Sequence, residues 1–149
     1  NPHMKVTILD IPTVCEKAKE NIERHGLADK ISVLPGDMFN ASLPETIDCV
    51  LYSHIVTIWS PEKNIELFSR IYDALPKGGR IFVFSTLGND NGIGPLSTAL
   101  GSVYFQTVAT GAGRVYSKSE TRNFLEAASF NVPDVVDLTL DHALVIGEK

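Results

Sequence analysis

Short runs of hydrophobic residues alternate along the chain with segments in which hydrophobic residues recur every three or four positions. The first pattern is typical of buried β-strands and the second of amphipathic helices. The predicted strands are at 5–9, 31–34, 46–53, 80–85, 134–140 and 142–149. The predicted helices are at 12–25, 61–75 and 118–129, with a weaker helix over 96–110.

Local signals mark where these helices begin. Ser60 followed by Pro61 is typical of a helix start, with serine as the N-cap and proline in the first turn. "SKSE", residues 117–120, matches a capping box. Strands that alternate with helices and then end in two strands joined near Asp141 predict an α/β fold. We expect one domain, 1–149, with a mostly parallel sheet, helices on both faces and an antiparallel C-terminal hairpin.

Composition narrows the classes of function. The net charge is −5, which disfavours nucleic acid as a partner because phosphate binding needs concentrated Lys and Arg. No apolar run approaches the length of about 20 residues that a membrane span needs, and no signal peptide is evident, so we expect a cytoplasmic protein without a membrane partner. Cys49 lies in an apolar run and is predicted to be a buried, reduced core residue. The histidines and cysteines lack metal-ligand spacing, and no metal site is predicted.

Two acidic residues follow neighbouring predicted strands. Asp10 ends the first strand, where a carboxylate faces the ligand crevice of an open α/β sheet and can accept hydrogen bonds from ribose hydroxyls. An N-cap role for Asp10 is equally compatible with its position. In "PGDMF", Gly36 would let the backbone approach a flat ligand, and Asp37 could accept a hydrogen bond from an exocyclic amine. An Asp turn at Asp37 is the simpler alternative, as is core packing for 38–39.

Five segments in order and spacing carry a resemblance to a known family: "VTILDIP", "ISVLPGDMF", "IDCVLYSHIVTIWSPEKN", "ALPKGGRIFVFS" and "GRVYSKSETRNFLEAASF". The chain resembles the class I S-adenosylmethionine-dependent methyltransferases, and within them the O-methyltransferases of the caffeate and antibiotic-tailoring type. "LPKGGRIFV" and "GDMF" are the most specific pieces. The resemblance implies a Rossmann-like sheet and S-adenosyl-L-methionine as cofactor.

The resemblance also implies roles for individual residues. Asp10, with Ile11 beside it, would hold the cofactor ribose, and Ser53 would lie near its methionine part. The adenine would be bound by the residues that follow the second strand, namely Gly36, Asp37, Met38 and Phe39.

The catalytic residue is not identified by the resemblance. The family reads roughly "LHDW" after the third of these strands, and its histidine is the general base. Aligned on Trp59, this chain has Thr57 in place of that histidine and Ile58 in place of the aspartate. The hydroxyl of threonine does not titrate near neutral pH and cannot serve as the base. If the segment is helical, His54 shares a face with Thr57 and could act instead; a space-filling role is the alternative for His54. Both residues are assigned to the substrate pocket.

The first strand of the family and its glycine-rich "GxGxG" loop have no counterpart here. That strand lies between those at 5–9 and 46–53, so its absence leaves a gap of about 9.6 Å at ~4.8 Å per strand. Three outcomes are expected as alternatives. The chain is the carboxyl-terminal part of a longer protein, or the two strands pair directly, or another copy supplies the edge.

Methyl transfer to a small-molecule acceptor is the leading functional hypothesis, with this chain a truncated portion that is inactive alone. An NAD-dependent oxidoreductase that uses Asp10 on the ribose is one alternative. A degenerate scaffold without activity is the other. The sequence leaves open the acceptor, the atom methylated and whether the protein forms a homo-oligomer.

Overall fold

The computed structural model describes residues 3–149, which divide into two compact units. The first unit ends at Leu43, and the second runs from Pro44 to Lys149. The prediction that 1–149 form a single partial catalytic domain stays a prediction. No helix in the described part of the chain has both the length and the apolar character needed to cross a membrane.

The first unit is a strand–helix–strand motif. Strand β1 (Val6–Asp10) leads into helix α1 (Pro12–Arg24), and strand β2 (Ile31–Pro35) then pairs with β1 in parallel. Proline at the first position of α1 needs no hydrogen-bond partner for its nitrogen, and Gly26 follows the helix with a φ of +64°. The register pairs the last residues of the two strands, so both strands end at the same edge.

The second unit contains a mixed four-stranded sheet in the order β3-β4-β6-β5. Strands β3 and β4 are parallel, whereas β6 is antiparallel to both β4 and β5. The α/β fold, the mixed sheet and the C-terminal hairpin are therefore confirmed. The elements of this unit are β3 (Cys49–Ser53), α2 (Pro61–Ala74), β4 (Arg80–Thr86), α3 (Leu96–Thr107), α4 (Lys118–Ala127), β5 (Asn131–Asp137) and β6 (His142–Glu148).

Both predicted helix starts are confirmed in atomic detail. The Ser60 hydroxyl accepts a hydrogen bond from the Lys63 amide at 3.4 Å. At the start of α4, the Ser117 hydroxyl accepts from the Glu120 amide at 3.2 Å, and the Glu120 carboxylate accepts from the Ser117 amide at 2.9 Å. These bonds satisfy amides that the first turn of a helix leaves without partners.

One face of the second sheet packs against α2 and forms the core. Tyr52 contacts Phe68 edge-on at 5.0 Å between ring centroids, and Ile81 and Val83 are fully buried. The residues of β3 that point the other way are exposed: Leu51 is 65% exposed, and Cys49 is exposed as well. The prediction of a buried Cys49 is therefore wrong, because β3 is an edge strand and its second face is not covered within the second unit.

The strands at 5–9 and 46–53 belong to two separate sheets. Strand β1 pairs only with β2, and β3 pairs only with β4. Direct pairing of β1 with β3, one of the three expected outcomes, is therefore wrong. Each of these two strands has one edge that pairs with no other strand of residues 3–149.

Candidate functional site

Two residues predicted to bind the cofactor lie at the carboxyl edge of the first unit, at the ends of its paired strands. Asp10 is the last residue of β1 and lies opposite Pro35 in the register. The Gly36 amide donates to the Asp10 carbonyl at 2.8 Å, which holds the two strand ends together one residue before Asp37. Both acidic residues thus follow the carboxyl ends of paired strands, as the sequence predicted.

The Asp10 side chain does not cap the following helix. Its Oδ1 accepts from the adjacent Ile11 amide at 2.8 Å. The N-cap residue of α1 is Ile11, with no side-chain cap bond, so an N-cap role for Asp10 is ruled out. Its Oδ2 has no hydrogen-bond partner among the described residues. The next residue, Ile11, has an apolar side chain that is 53% exposed. Part of the carboxylate is thus available to a ligand.

Asp37 is held by its own turn. Its Oδ1 accepts from the Phe39 amide at 3.0 Å, and its Oδ2 accepts from the Asn40 side-chain amide at 2.6 Å. The Asp turn considered from the sequence is therefore confirmed. Asp37 is exposed, whereas Met38 and Phe39 are half-buried. The adenine role of these residues stays a prediction; the turn fixes their backbone without excluding it.

Close packing explains why residue 36 is a glycine, and the sequence did not reveal this. A Cβ placed on Gly36 would lie 2.7 Å from the Cβ of Ala41, a distance that real side chains essentially never show. The turn after β2 folds back so closely that only a hydrogen fits. Close packing within the unit therefore requires the glycine whether or not a ligand approaches its backbone.

We expect Gly36→Ala to destabilise the first unit by about 1–3 kcal/mol, because the added methyl group overpacks the contact with Ala41. Amide hydrogen exchange of β1 and β2 measures the effect. The double variant Gly36→Ala/Ala41→Gly removes the clash and should recover most of the lost protection. Equal loss in the single and double variants would show that Ala41 is not the cause.

In the second unit, the carboxyl end of β3 carries two more candidates. Ser53 ends the strand opposite Phe84. The next residue, His54, donates its amide to the Phe84 carbonyl at 2.8 Å and has a φ of +56°. Residues other than glycine rarely adopt this left-handed conformation, and they do so mostly at turns and functional sites. The turn ends β3 abruptly and directs the chain away from the sheet.

Three rings cluster at this edge. The His54 ring packs edge-on against Phe84 and His142, with centroid distances of 5.0 and 5.2 Å, and His142 stacks on Phe84 at 5.1 Å. Burial, and secondarily the charge that His142 carries when protonated, lower the pKa of His54 from its ordinary value. The neutral imidazole therefore dominates at neutral pH. His54 is largely exposed.

Both ring nitrogens of His142 form hydrogen bonds. Its Nδ1 lies 2.7 Å from the Leu140 carbonyl, which can only accept, so Nδ1 carries the proton. Its Nε2 then accepts from the Thr86 hydroxyl at 3.3 Å. Beside this ring lies an open pocket of about 550 Å³, lined by Phe84, His142 and the hairpin residues Asp137, Leu138, Thr139 and Leu140.

Thr57 does not share a helical face with His54. The segment after β3 is a single turn, closed by the Ile58 amide donating to the Ile55 carbonyl at 2.9 Å, and the left-handed His54 precedes it. Thr57 is only 2% exposed, while His54 is exposed. The helical spacing that the sequence argument required is therefore absent. The structure keeps His54 at the surface and places Thr57 in the interior.

Residues that the sequence analysis missed hold this turn in place. The buried Asn64 side-chain amide donates to the carbonyls of Val56 and Trp59 at 2.9 and 3.1 Å. The Tyr116 hydroxyl donates to the Trp59 carbonyl at 2.8 Å, and Gly113 packs directly on the backbone of Thr57. Of these residues, only Asn64 could have been found from the sequence. It precedes Phe68 by four residues, a spacing that places it on the buried face of α2.

The candidate residues thus fall into two groups, one in each unit. Asp10, Ile11 and 36–39 surround the carboxyl ends of β1 and β2, while Ser53, His54 and Thr57 follow β3. Among the residues that the structure describes, no three histidine, cysteine or acidic side chains are grouped as metal ligands would be.

Comparison with known proteins identifies the family. Residues 1–131 match the family described as the O-methyltransferase domain. An L-tyrosine C(3)-methyltransferase of Streptomyces lavendulae is 40% identical over 88% of this chain and 36% of its own length. A 3-hydroxy-5-methyl-1-naphthoate 3-O-methyltransferase of Streptomyces sahachiroi is 34% identical over 86% of this chain and 36% of its own length.

A solved structure agrees. The S-adenosylmethionine-dependent methyltransferase SibL, in its apo form, has a TM-score of 0.88 and 35% identity, covering 99% of this chain and 44% of that chain. The chain thus spans well under half the length of these relatives. Sequence and fold agree on one assignment: this chain belongs to the O-methyltransferase domain family of S-adenosylmethionine-dependent methyltransferases.

Proposed function

We propose that the protein of which this chain is part transfers a methyl group from S-adenosyl-L-methionine to a phenolic small molecule. The observation that carries the proposal is the partly unpaired Asp10 carboxylate at the end of β1 in a chain of this family. The bound cofactor supplies a methyl group on a positively charged sulfur, from which a nucleophile can take it.

The residues of the first unit fit the adenosine part of this cofactor. Asp10 Oδ2 can accept a hydrogen bond from a ribose hydroxyl, and the exposed side chain of the next residue, Ile11, offers an apolar surface. Met38 and Phe39 are half-buried and can cover one face of a purine ring. The carboxylate of Asp37 is engaged by its own turn, so we assign adenine contact to the turn as a whole. In the second unit, Ser53 ends β3 and His54 follows it. We assign Ser53 to the methionine part of the cofactor and His54 to the acceptor.

A phenolic acceptor is supported by two observations. The names of both sequence relatives given above specify a hydroxylated aromatic compound, methylated on a ring carbon in one and on oxygen in the other. In addition, Thr57 stands where the resemblance places a histidine, and its side chain is buried. Ionisation of a phenol makes both its oxygen and its neighbouring ring carbon nucleophilic. Because the first relative shares 40% identity, we favour the ring carbon next to the hydroxyl.

Cofactor binding tests the first half of the proposal. Asp10→Ala should weaken binding of S-adenosylhomocysteine by about 10- to 100-fold, the loss expected for a hydrogen bond to a charged group. Isothermal titration calorimetry measures this in the complete gene product. Asp29→Ala, at an exposed aspartate of the same unit, should leave the affinity unchanged. Binding of NAD but not of S-adenosylhomocysteine would support the oxidoreductase alternative instead.

Product analysis tests the second half. The gene product is incubated with methyl-labelled cofactor and a panel comprising L-tyrosine, hydroxynaphthoates and their non-phenolic counterparts. We expect label only in phenols, with NMR placing the methyl carbon on the ring beside the hydroxyl. Labelling of the non-phenolic members alone would contradict the assignment of the acceptor.

The setting of this activity is also part of the proposal. Both cysteines, Cys15 and Cys49, are free, which suits the reducing conditions of the cytoplasm. The net charge of −5 favours neither nucleic acid nor an anionic membrane surface as a partner. The small-molecule acceptor is the only partner that the proposal requires, and a homo-oligomer remains compatible with it.

A further inference from the structure

We propose that His54 is the proton acceptor that ionises the hydroxyl of the phenolic acceptor. The inference rests on the proposed function and deepens it by naming the residue that activates the acceptor. Its structural basis is the ring cluster formed by His54, Phe84 and His142, in which the ring nitrogens of His54 have no hydrogen-bond partner within residues 3–149.

The backbone fixes His54 in an uncommon conformation. Its φ of +56° is left-handed, and its amide bond to the Phe84 carbonyl, at 2.8 Å, extends the hydrogen bonds of the β3–β4 pair by one residue. Asparagine and glycine adopt this conformation more readily than histidine. Histidine is also among the residues enriched in this conformation, and the left-handed backbone sets the direction in which the imidazole leaves the turn.

The neighbouring rings orient the imidazole of His54 without forming hydrogen bonds to its ring nitrogens. Phe84 and His142 contact the ring edge-on at centroid distances of 5.0 and 5.2 Å. His142 itself donates from Nδ1 to Leu140 and accepts at Nε2 from Thr86, so it has no free lone pair. His142 is therefore a positioning residue, and His54 alone in this cluster can accept a proton from a ligand.

The charges around the cluster favour a neutral His54. Strand β4 contributes Phe84, and β6 contributes His142, which opposes protonation of His54 when it is itself protonated. The acidic groups of the hairpin turn are already paired: Asp137 with Lys118, and Asp141 with the Ser97 hydroxyl at 2.7 Å. No carboxylate in the described residues bonds to His54. Burial and His142 therefore keep the pKa of His54 below its ordinary value, so that the base form is present at neutral pH.

The proton balance of the step is simple. The proton leaves the phenol oxygen for a ring nitrogen of His54, the electron pair of the O–H bond stays on the oxygen, and the ring becomes an imidazolium. The resulting phenolate is the nucleophile: its ring carbon would take the methyl group as the sulfur–methyl bond of the cofactor breaks and leaves a neutral thioether. That carbon would then lose its own proton while the oxygen regains one, and the imidazolium returns its proton to solvent. Thr57, buried and without a basic group, takes no part in this transfer.

His54→Asn tests the proposal because asparagine tolerates the left-handed backbone and removes the base. In the complete gene product we expect kcat/KM for an ordinary phenol to fall by about 10²- to 10⁴-fold. A nitro-substituted phenol, already ionised at the assay pH, should restore much of the rate. The wild-type pH profile should rise through a pKa below the ordinary value of ~6.5, and the variant should lose that limb. His25→Asn, at an exposed histidine that ends α1, is the matched control.

A second measurement does not depend on turnover. With S-adenosylhomocysteine present, 4-nitrophenol is titrated spectroscopically in the wild type and in H54N. We expect the bound phenol to ionise at a lower pH in the wild type than in the variant. Equal ionisation in both proteins, or an H54N variant that methylates ordinary phenols at the wild-type rate, would overturn the proposal. Absence of methyl transfer by the wild type would instead contradict the proposed function itself.

Discussion

Gly113→Ala is expected to lower the free energy of unfolding of the second unit by about 3 kcal/mol, at the upper end of what overpacking usually costs. A Cβ at this position would lie 2.1 Å from the Thr57 carbonyl oxygen and 2.5 Å from the carbonyl carbon of Ile58. The atoms in the way belong to the backbone and cannot move aside by a change of rotamer. The clash therefore has to displace the turn that follows β3.

The fluorescence of Trp59, the only tryptophan of the chain, reports on this turn directly during urea unfolding. Gly88→Ala is the matched control, because its Cβ would lie at least 3.8 Å from other atoms. We expect the control to change stability by less than about 0.5 kcal/mol. A Gly113→Ala variant as stable as the control would mean that residues 111–116 do not pack on the turn as described.

The parts of the fold that could be predicted are those with local signals. The Ser60 and Ser117 caps depend on residues within three positions of one another, and both are present as predicted. The C-terminal hairpin needed only two short hydrophobic runs and a break between them. Helix starts and hairpins are encoded locally, and a single sequence was therefore sufficient for them.

Exposure in β3 could not be predicted in the same way. The run 49–52 has no charged residue and none of the small polar ones, a pattern that indicates a strand buried on both faces. Whether Cys49 and Leu51 are covered depends on which segment packs on that face and on whether a further strand pairs with β3. Neither of these can be predicted from the sequence of the strand alone.

The candidate site likewise has features that the sequence predicts and features that it does not. The positions of Asp10 and Asp37 after paired strands followed from strand order, because parallel strands end at a common edge. The contacts that hold the turn containing His54 and Thr57 could not be predicted from strand order. Gly113 and Tyr116 are distant in sequence and are brought to the turn only by the tertiary fold. Nothing in "TGAGR" distinguishes a glycine required by packing from one in a flexible loop.

Asn64→Ala is expected to destabilise the second unit by about 3 kcal/mol, because it leaves buried polar groups without partners. The side chain is fully buried, donates to the Val56 and Trp59 carbonyls and accepts from the Tyr52 hydroxyl at 3.1 Å. Trp59 keeps a second donor in Tyr116, whereas the structure gives the Val56 carbonyl only Asn64. Asn123→Ala, on the exposed side of α4, should be nearly neutral.

Asn64→Asp separates lost hydrogen bonds from lost volume, since it keeps the shape and the acceptor for Tyr52 but removes both N–H donors. At neutral pH a buried carboxylate would face carbonyl oxygens, and we expect a loss at least as large as in Asn64→Ala. Burial raises the pKa of a carboxyl group, so the side chain becomes neutral as the pH falls and can then donate to Val56. The stability difference between Asn64→Asp and the wild type should therefore narrow in acid. If urea unfolding monitored by Trp59 shows a difference that does not change with pH, the lost packing would outweigh the hydrogen bonds that we assign to Asn64.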